Sequence, residues 1–237
     1  MHVHSSEKGF MGMSKSKVDQ PAEGRHLQVK MLHGLQPYEN IWRAMQAFTD
    51  ERGEETEDVL WLLQHEPVFT QGQAGKEEHV LAAGDIPVVN VDRGGQVTYH
   101  GPGQLVIYLM IDIARLNIGA KDLVTIIEGA LINTLKSYGL TAVAKENAPG
   151  VYVDDAKIAS LGLRIRKGKS FHGLSLNVDM DLEPFGRINP CGYKDLKMIQ
   201  LSDYAPDVAV ERAAGILVNE IQSAFGYDDI VMEYTDQ

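Results

Sequence analysis

The chain has 237 residues, enough for one sizeable core, and its 44% hydrophobic and 23% charged residues are those of an ordinary globular domain. Its 22 Lys and Arg against 33 Asp and Glu give a formal charge of −11, the opposite sign from a typical nucleic-acid binder. A single cysteine excludes an intramolecular disulfide and fits a reducing cytoplasm, and no apolar run approaches the ~20 residues that span a bilayer.

Residues 1–24 are polar and aperiodic and lack the apolar centre of a secretory signal. They read as a flexible extension ahead of one catalytic-size domain, 25–237. Leu27–Leu32 alternates as a first strand. Pro37 opens a helix with Ile41, Trp42, Met45 and Phe48 on one face, and Gly53 ends it. The acidic run Glu54–Asp58 reads as a solvated loop, and Val59–Leu63 as a strand. His65-Glu66-Pro67 carries metal-type side chains, but no second histidine follows at helical spacing and Pro67 prevents a helix, so no metal site is expected. Thr70–Gln73 reads as a polar loop. Ile86–Val91 and Leu105–Ile113 read as strands flanking a Gly-rich segment.

Asp122 is expected to cap a helix in which Leu123, Ile126, Ile127, Ala130, Leu131, Thr134 and Leu135 repeat at three and four, stopped at Gly139. Gly150–Val153 reads as a strand and Asp154-Asp155 as a turn. Lys157–Arg166 and Phe171–Asp179 form a hairpin across Lys167–Ser170. Leu182–Cys191 is irregular, and Val208–Phe225 is a helix with one apolar face. Short turns between many strands predict a mixed, largely antiparallel sheet with packed helices, an α/β fold of the α+β type.

Chemistry concentrates in three places. Arg93–Gln104 holds four glycines, Pro102, His100 and Arg93 in twelve residues. It reads either as a loop holding a ligand against main-chain amides or as a decorated turn. Cys191 lies between Pro190 and Gly192 in a segment of turn formers, unlike the apolar setting of a packed structural cysteine. A nucleophilic role requires a thiolate, and a nearby ammonium favours that charge. Lys157, at the start of an apolar stretch, is the candidate; the alternative is a solvent-facing edge lysine.

The block Arg93-Gly94-Gly95-Gln96-Val97-Thr98-Tyr99-His100-Gly101-Pro102-Gly103-Gln104 is followed by three others. They are Lys157-Ile158-Ala159-Ser160-Leu161-Gly162, Phe171-His172-Gly173-Leu174-Ser175-Leu176-Asn177 and Asn189-Pro190-Cys191-Gly192. In this order they closely resemble the bacterial lipoyl (octanoyl) transferases, over roughly Leu27 to Phe225. The resemblance implies the fold shared with lipoate– and biotin–protein ligases. It implies transfer of octanoate from acyl carrier protein to a lysine of lipoyl domains in 2-oxoacid dehydrogenases or glycine-cleavage H protein. Cys191 matches the acyl-thioester nucleophile and Lys157 its partner. The segments Arg93–His100, Ser160–Gly162 and Gly173–Ser175 match the substrate-binding segments.

No bound cofactor is implied, because the donor brings its own phosphopantetheine thioester and thioester exchange is close to thermoneutral. Lys157 would stabilise the Cys191 thiolate and later take a proton from the acceptor amine. Main-chain amides of the Gly-rich loop or around Gly162 would stabilise the oxyanion, with His100 and Arg93 orienting the loop or the pantetheine arm. The cations Arg164, Arg166, Lys167 and Lys169 are expected to meet the acidic carrier. Three other readings compete: an ATP-dependent lipoate or biotin ligase on the same fold, a cysteine hydrolase using His100 or His172, and a noncatalytic module that binds lipoyl domains.

Overall fold

The computed structural model describes residues 24–194 and 196–235, so the extension expected over 1–24 lies outside the described residues apart from Gly24. The elements run β1 (His26–Gln36), α1 (Tyr38–Glu51), β2 (Asp58–His65), β3 (Val68–Gln71), β4 (Val88–Asn90), β5 (Val97–His100) and β6 (Gln104–Met110). They continue with α2 (Ala120–Ser137), β7 (Val143–Ala144), β8 (Gly150–Val153), β9 (Ala156–Arg166), β10 (Lys169–Asn177), α3 (Val210–Phe225) and β11 (Asp229–Thr235).

A mixed eight-stranded sheet has the order β11-β1-β2-β6-β10-β9-β8-β7. The β11–β1 and β1–β2 pairs are parallel and the rest antiparallel. A small second sheet, β4-β3-β5, packs beside it. The mixed, largely antiparallel sheet with packed helices expected from the sequence is the observed architecture.

The central strand β6 shows how one sequence serves two surfaces. Successive side chains of a strand alternate faces. Leu105, Ile107 and Leu109 join the large core under α2 and α3, whereas Val106, Tyr108 and Met110 meet Ile41 and Met45 of α1. Burying both faces explains why this strand is continuously apolar rather than alternating.

Local chemistry sets the boundaries. Pro37 takes the N-cap position of α1 at φ −59°. Gly119, not Asp122, is the N-cap of α2; Asp122 sits one turn in and its Oδ2 accepts the Gly119 N–H at 2.9 Å, the return half of a capping box. Gly226 ends α3 in the left-handed region at φ +69°. Both hairpins turn on two consecutive positive-φ residues, Asp154-Asp155 and Lys167-Gly168, matching the strand twist.

Three expectations need correction. Thr70 and Gln71 are not loop residues but part of the buried strand β3, because Arg93 satisfies Thr70. The Gly-rich segment contains a full strand, β5, all four of whose residues are buried. Asp58 closes the acidic run as a buried carboxylate rather than a solvated one. It accepts from Arg115 Nη2 at 2.7 Å, Tyr227 Oη at 2.8 Å and the Asp112 N–H at 2.7 Å. The edge strands β7 and β11 carried no clear signal. Among the described residues no helix is long and apolar enough to cross a membrane.

Candidate active site

Cys191 and Lys157 are 34 positions apart in sequence and meet in space, with Lys157 Nζ 3.0 Å from Cys191 Sγ. Main-chain bonds bring them together. The Lys157 N–H donates to Lys197 O at 2.8 Å and Lys157 O accepts from the Ile199 N–H at 3.0 Å, a parallel bridge that ties the segment after the cysteine to the start of β9. Upstream, the Asn189 N–H donates to His79 O and Val80 bridges Ile188. The thiol is thus pinned from both sides.

Cys191 itself is at φ +56°, ψ +17°, in a short turn whose Gly192 N–H donates to Asn189 O at 2.9 Å. An L-residue there costs on the order of 1–3 kcal/mol, and such strain clusters at functional sites. The turn lifts the half-buried thiol to the cavity wall.

Lys157 is only 1% exposed. Besides the thiol it donates to Pro149 O at 2.9 Å, and its ammonium lies 5.4 Å from the Tyr152 ring centroid. An ammonium needs three acceptors and a buried one is costly when unpaired. Here one carbonyl, one sulfur and one aromatic face surround it. Among the described residues no carboxylate lies within ion-pair distance of it, and the Cys191 sulfur is the side-chain partner its Nζ meets.

Both groups open on a cavity of about 460 Å³, within the range of small-molecule sites. Arg93–Thr98 and His100 line it, as do Ser160–Gly162 and Gly173–Ser175. Tyr99 is the exception: its ring packs between Phe69 and Phe185, away from the cavity. Glycine is required where strands and loop close up. A Cβ on Gly162 would lie 3.1 Å from Arg93 Cδ and 3.2 Å from Gly94 O.

Arg93 is buried and has no carboxylate partner among the described residues. It donates to Thr70 O at 2.6 Å, Thr70 Oγ1 at 2.9 Å, Gln96 O at 2.8 Å and Gly94 O at 2.8 Å. It is the clamp of the Gly-rich loop, and burial pushes its guanidinium below its ordinary range. The Gly94 N–H is engaged by Leu163 O at 3.0 Å and is not a free oxyanion donor.

On the floor of the cavity sequence reading singles out His100 but not Tyr38 or Tyr108, nor His65 behind them. Tyr38 stacks on His100 with centroids 5.8 Å apart, and its neighbour His65 donates from Nδ1 to Gln36 O at 2.8 Å and pairs through Nε2 with Tyr108 Oη at 2.6 Å. His100 Nδ1 pairs with Gln104 Oε1 at 2.7 Å. Burial pushes His65 down to about 4 and His100 down to about 3, so both rings are neutral at pH 7. Tyr38 is pushed up to about 12 by the same burial. An uncharged floor suits an alkyl chain. The four side chains come from the start of α1 and from β2, β5 and β6, so no local spacing groups them.

His172 stands beside this floor at φ +59°, which re-aims its ring to Asp92 Oδ1 at 2.8 Å. Asp92 also accepts from Trp42 Nε1 and Gln46. Bonds from His172 and Trp42 outweigh burial and hold the Asp92 carboxyl well below the usual carboxylate range. Neither His100 nor His172 hydrogen-bonds the thiol, which removes the geometry of a Cys–His hydrolase. Of the four cations expected to meet a carrier, three have partners within the chain. Arg164 Nη1 donates to Gln73 Oε1 at 2.6 Å, Arg166 Nη1 to Asp50 Oδ1 at 2.6 Å, and Lys169 Nζ to the carbonyls of Arg52 and Gly53.

Comparison with known proteins agrees in sequence and in shape. Residues 36–222 match the model of the lipoyl protein ligase A/B catalytic domain. The Octanoyltransferase of Hahella chejuensis is 64% identical over 198 residues, covering 84% of this chain and 88% of that protein. That of Pseudomonas syringae pv. tomato is 70% identical over 175 residues, covering 74% and 80%. The bi-partite lipoate protein ligase of Thermoplasma acidophilum superposes with a TM-score of 0.71 at 16% identity, covering 90% of this chain and 89% of that one. At that identity the likeness speaks for the fold alone.

Proposed function

The chain belongs to the lipoyl protein ligase A/B catalytic-domain family, and from that premise we propose how it acts. Its activity is octanoyl transfer in protein lipoylation, the activity for which its relatives at 64% and 70% identity are named. The donor is octanoate held as the phosphopantetheine thioester of acyl carrier protein. The acceptor is a lysine amine of a lipoyl domain, in 2-oxoacid dehydrogenases or glycine-cleavage H protein.

In the first half the Cys191 thiolate attacks the thioester carbonyl. A new Sγ–C bond forms, the pantetheine C–S bond breaks, and the leaving thiolate takes a proton from the Lys157 ammonium. Lys157 is then a neutral amine beside a neutral acyl-enzyme. In the second half the acceptor amine attacks the acyl carbon, the Sγ–C bond breaks, and Lys157 takes the amine's proton as general base. The cycle ends with ammonium and thiolate restored. The energy for the amide is already in the donor thioester, so no nucleotide is consumed.

One observation carries this reading: the 3.0 Å contact of Lys157 Nζ with Cys191 Sγ on the wall of a cavity whose floor is uncharged. The apolar chain lies against that floor, each buried CH₂ contributing ~0.8 kcal/mol. Intact-protein mass measurement after mixing with octanoyl-carrier protein, without acceptor or ATP, tests it. One octanoyl adduct is expected, absent in Cys191→Ala and sharply reduced in Lys157→Ala. An adduct that survives Cys191→Ala, or transfer that requires ATP, overturns it.

A further inference from the structure

On the inward face of α2 the buried residues are Leu123, Ile127, Ala130, Leu131, Thr134 and Leu135, with one carboxylate among them, Glu128. It is 9% exposed, and among the described residues no cation lies within ion-pair distance of it. A buried carboxylate is costly unless something uses it. Its Oε1 accepts the Gly150 N–H at 2.9 Å.

The carbonyl of that same peptide group is Pro149 O, the acceptor of Lys157 Nζ at 2.9 Å. In a trans peptide N–H and C=O point in opposite directions. One peptide is therefore gripped from both sides, by a carboxylate on its N–H and by the ammonium on its C=O. Hydrogen bonds in such a chain polarise one another, and an anion on the N–H makes the carbonyl a stronger acceptor for a cation. Gly150 allows the ammonium to come this close. At φ +135°, a Cβ on it would lie 2.5 Å from Lys157 Cε and 3.0 Å from Nζ. Tyr152 braces the same loop, donating from Oη to Ala148 O at 3.0 Å.

We propose that Glu128 is a positioning residue of the transferase: acting through the Pro149–Gly150 peptide, it holds the Lys157 ammonium against Cys191 and favours its charged form. This rests on the Lys157–Cys191 reading above. The carboxylate remains a fixed distance away while Lys157 alternates between ammonium and amine, and it biases that alternation toward the charged state. Burial raises the Glu128 carboxyl, while the Gly150 N–H and the Lys157 charge oppose that rise. The other ionisable groups facing Lys157 are Cys191, from the strained turn, and Tyr152, from β8. Lys145, paired with Asp155, stands over the Tyr152 ring at 4.6 Å, and Arg93 faces the thiol from the Gly-rich loop.

The test compares wild type, Lys157→Ala, Glu128→Leu and Glu128→Gln in single turnover. Octanoyl-carrier protein loads the enzyme, and a lipoyl domain then unloads it across a pH series. Glu128→Leu removes acceptor and charge, and loading is expected to fall ~10–100-fold, as when an outer partner of a reactive group is lost. Glu128→Gln keeps an acceptor oxygen of the same reach and removes only the charge. Its loading falls less than that of Glu128→Leu. In the acyl-enzyme the sulfur is neutral, so losing the anion eases deprotonation of the ammonium, and the rising limb of unloading against pH moves toward lower pH. A merely structural contact would not move that limb. If the Glu128→Gln profile superimposes on wild type while Lys157→Ala is impaired, the assignment of Glu128 is overturned and the dyad stands. If Lys157→Ala loads at the wild-type rate, the dyad reading falls and the assignment with it.

Discussion

Two buried cations line the same cavity, and they are used in opposite ways. Arg93 directs its fork into Thr70, Gln96 and Gly94, all fixed acceptors of the protein. Lys157 has one fixed carbonyl, Pro149 O, and beside it the proposed nucleophile, Cys191 Sγ. A guanidinium bonded to fixed main-chain and hydroxyl acceptors holds a loop; an ammonium beside the proposed nucleophile would be left with a proton to move. The pair shows that burial of charge by itself does not identify a reactive group. What identifies it is the partner that cannot be satisfied throughout the cycle.

The widest separation between the two sites is expected on substitution of the lysine. Lys157→Ala should lower octanoyl transfer by ~10²–10⁴-fold, the usual range for loss of a positioned acid–base group, with little change in urea unfolding. A protein that unfolds easily but still transfers would reverse the assignment of roles. Next in size is a pH effect on the floor between them. His65 and His100 are neutral when folded and bind protons near 6.5 when unfolded. Stability is therefore full above that value and declines as pH falls toward about 4 and about 3, respectively. The loss is ~2 kcal/mol per ring by pH 5. Urea titrations at pH 7 and 5 should show it, and His100→Gln should remove about half; a flat response would mean the rings are charged in the fold.

Arg93→Lys should cost stability first. A lysine cannot reproduce the fork, and carbonyls left unpaired cost about 1–3 kcal/mol, read from the urea midpoint. If that variant instead keeps its midpoint and loses only transfer, Arg93 belongs with the reactive group. The smallest effect is expected from Tyr99→Phe, whose ring lies off the cavity: transfer and stability within ~0.5 kcal/mol of wild type. A large loss there would place Tyr99 against substrate.

Much of this frame was legible. Helix α2 and the β9–β10 hairpin follow from spacing and from Lys167-Gly168, since both signals are local. Strand β5 was hidden because Val97–His100 is flanked by glycines that speak for a loop, and its burial comes from β3 and the Arg93 clamp, which are distant in sequence. Asp58 looked solvated because its partners Arg115 and Tyr227 come from far along the chain. The meeting of Lys157 and Cys191 depends on the Lys157–Met198 bridge, a tertiary register that no spacing encodes. The cavity floor was illegible for a related reason: a neutral imidazole in a polar network and one in plain core have the same sequence pattern.

The bridge at Lys157 has a consequence for catalysis. The lysine's own backbone is the mooring of the segment that carries its sulfur partner, through Lys197 O and the Ile199 N–H. Breaking those two bonds would part the sulfur from the ammonium in the same step, so the fold couples the docking of this segment to the pairing of the two side chains.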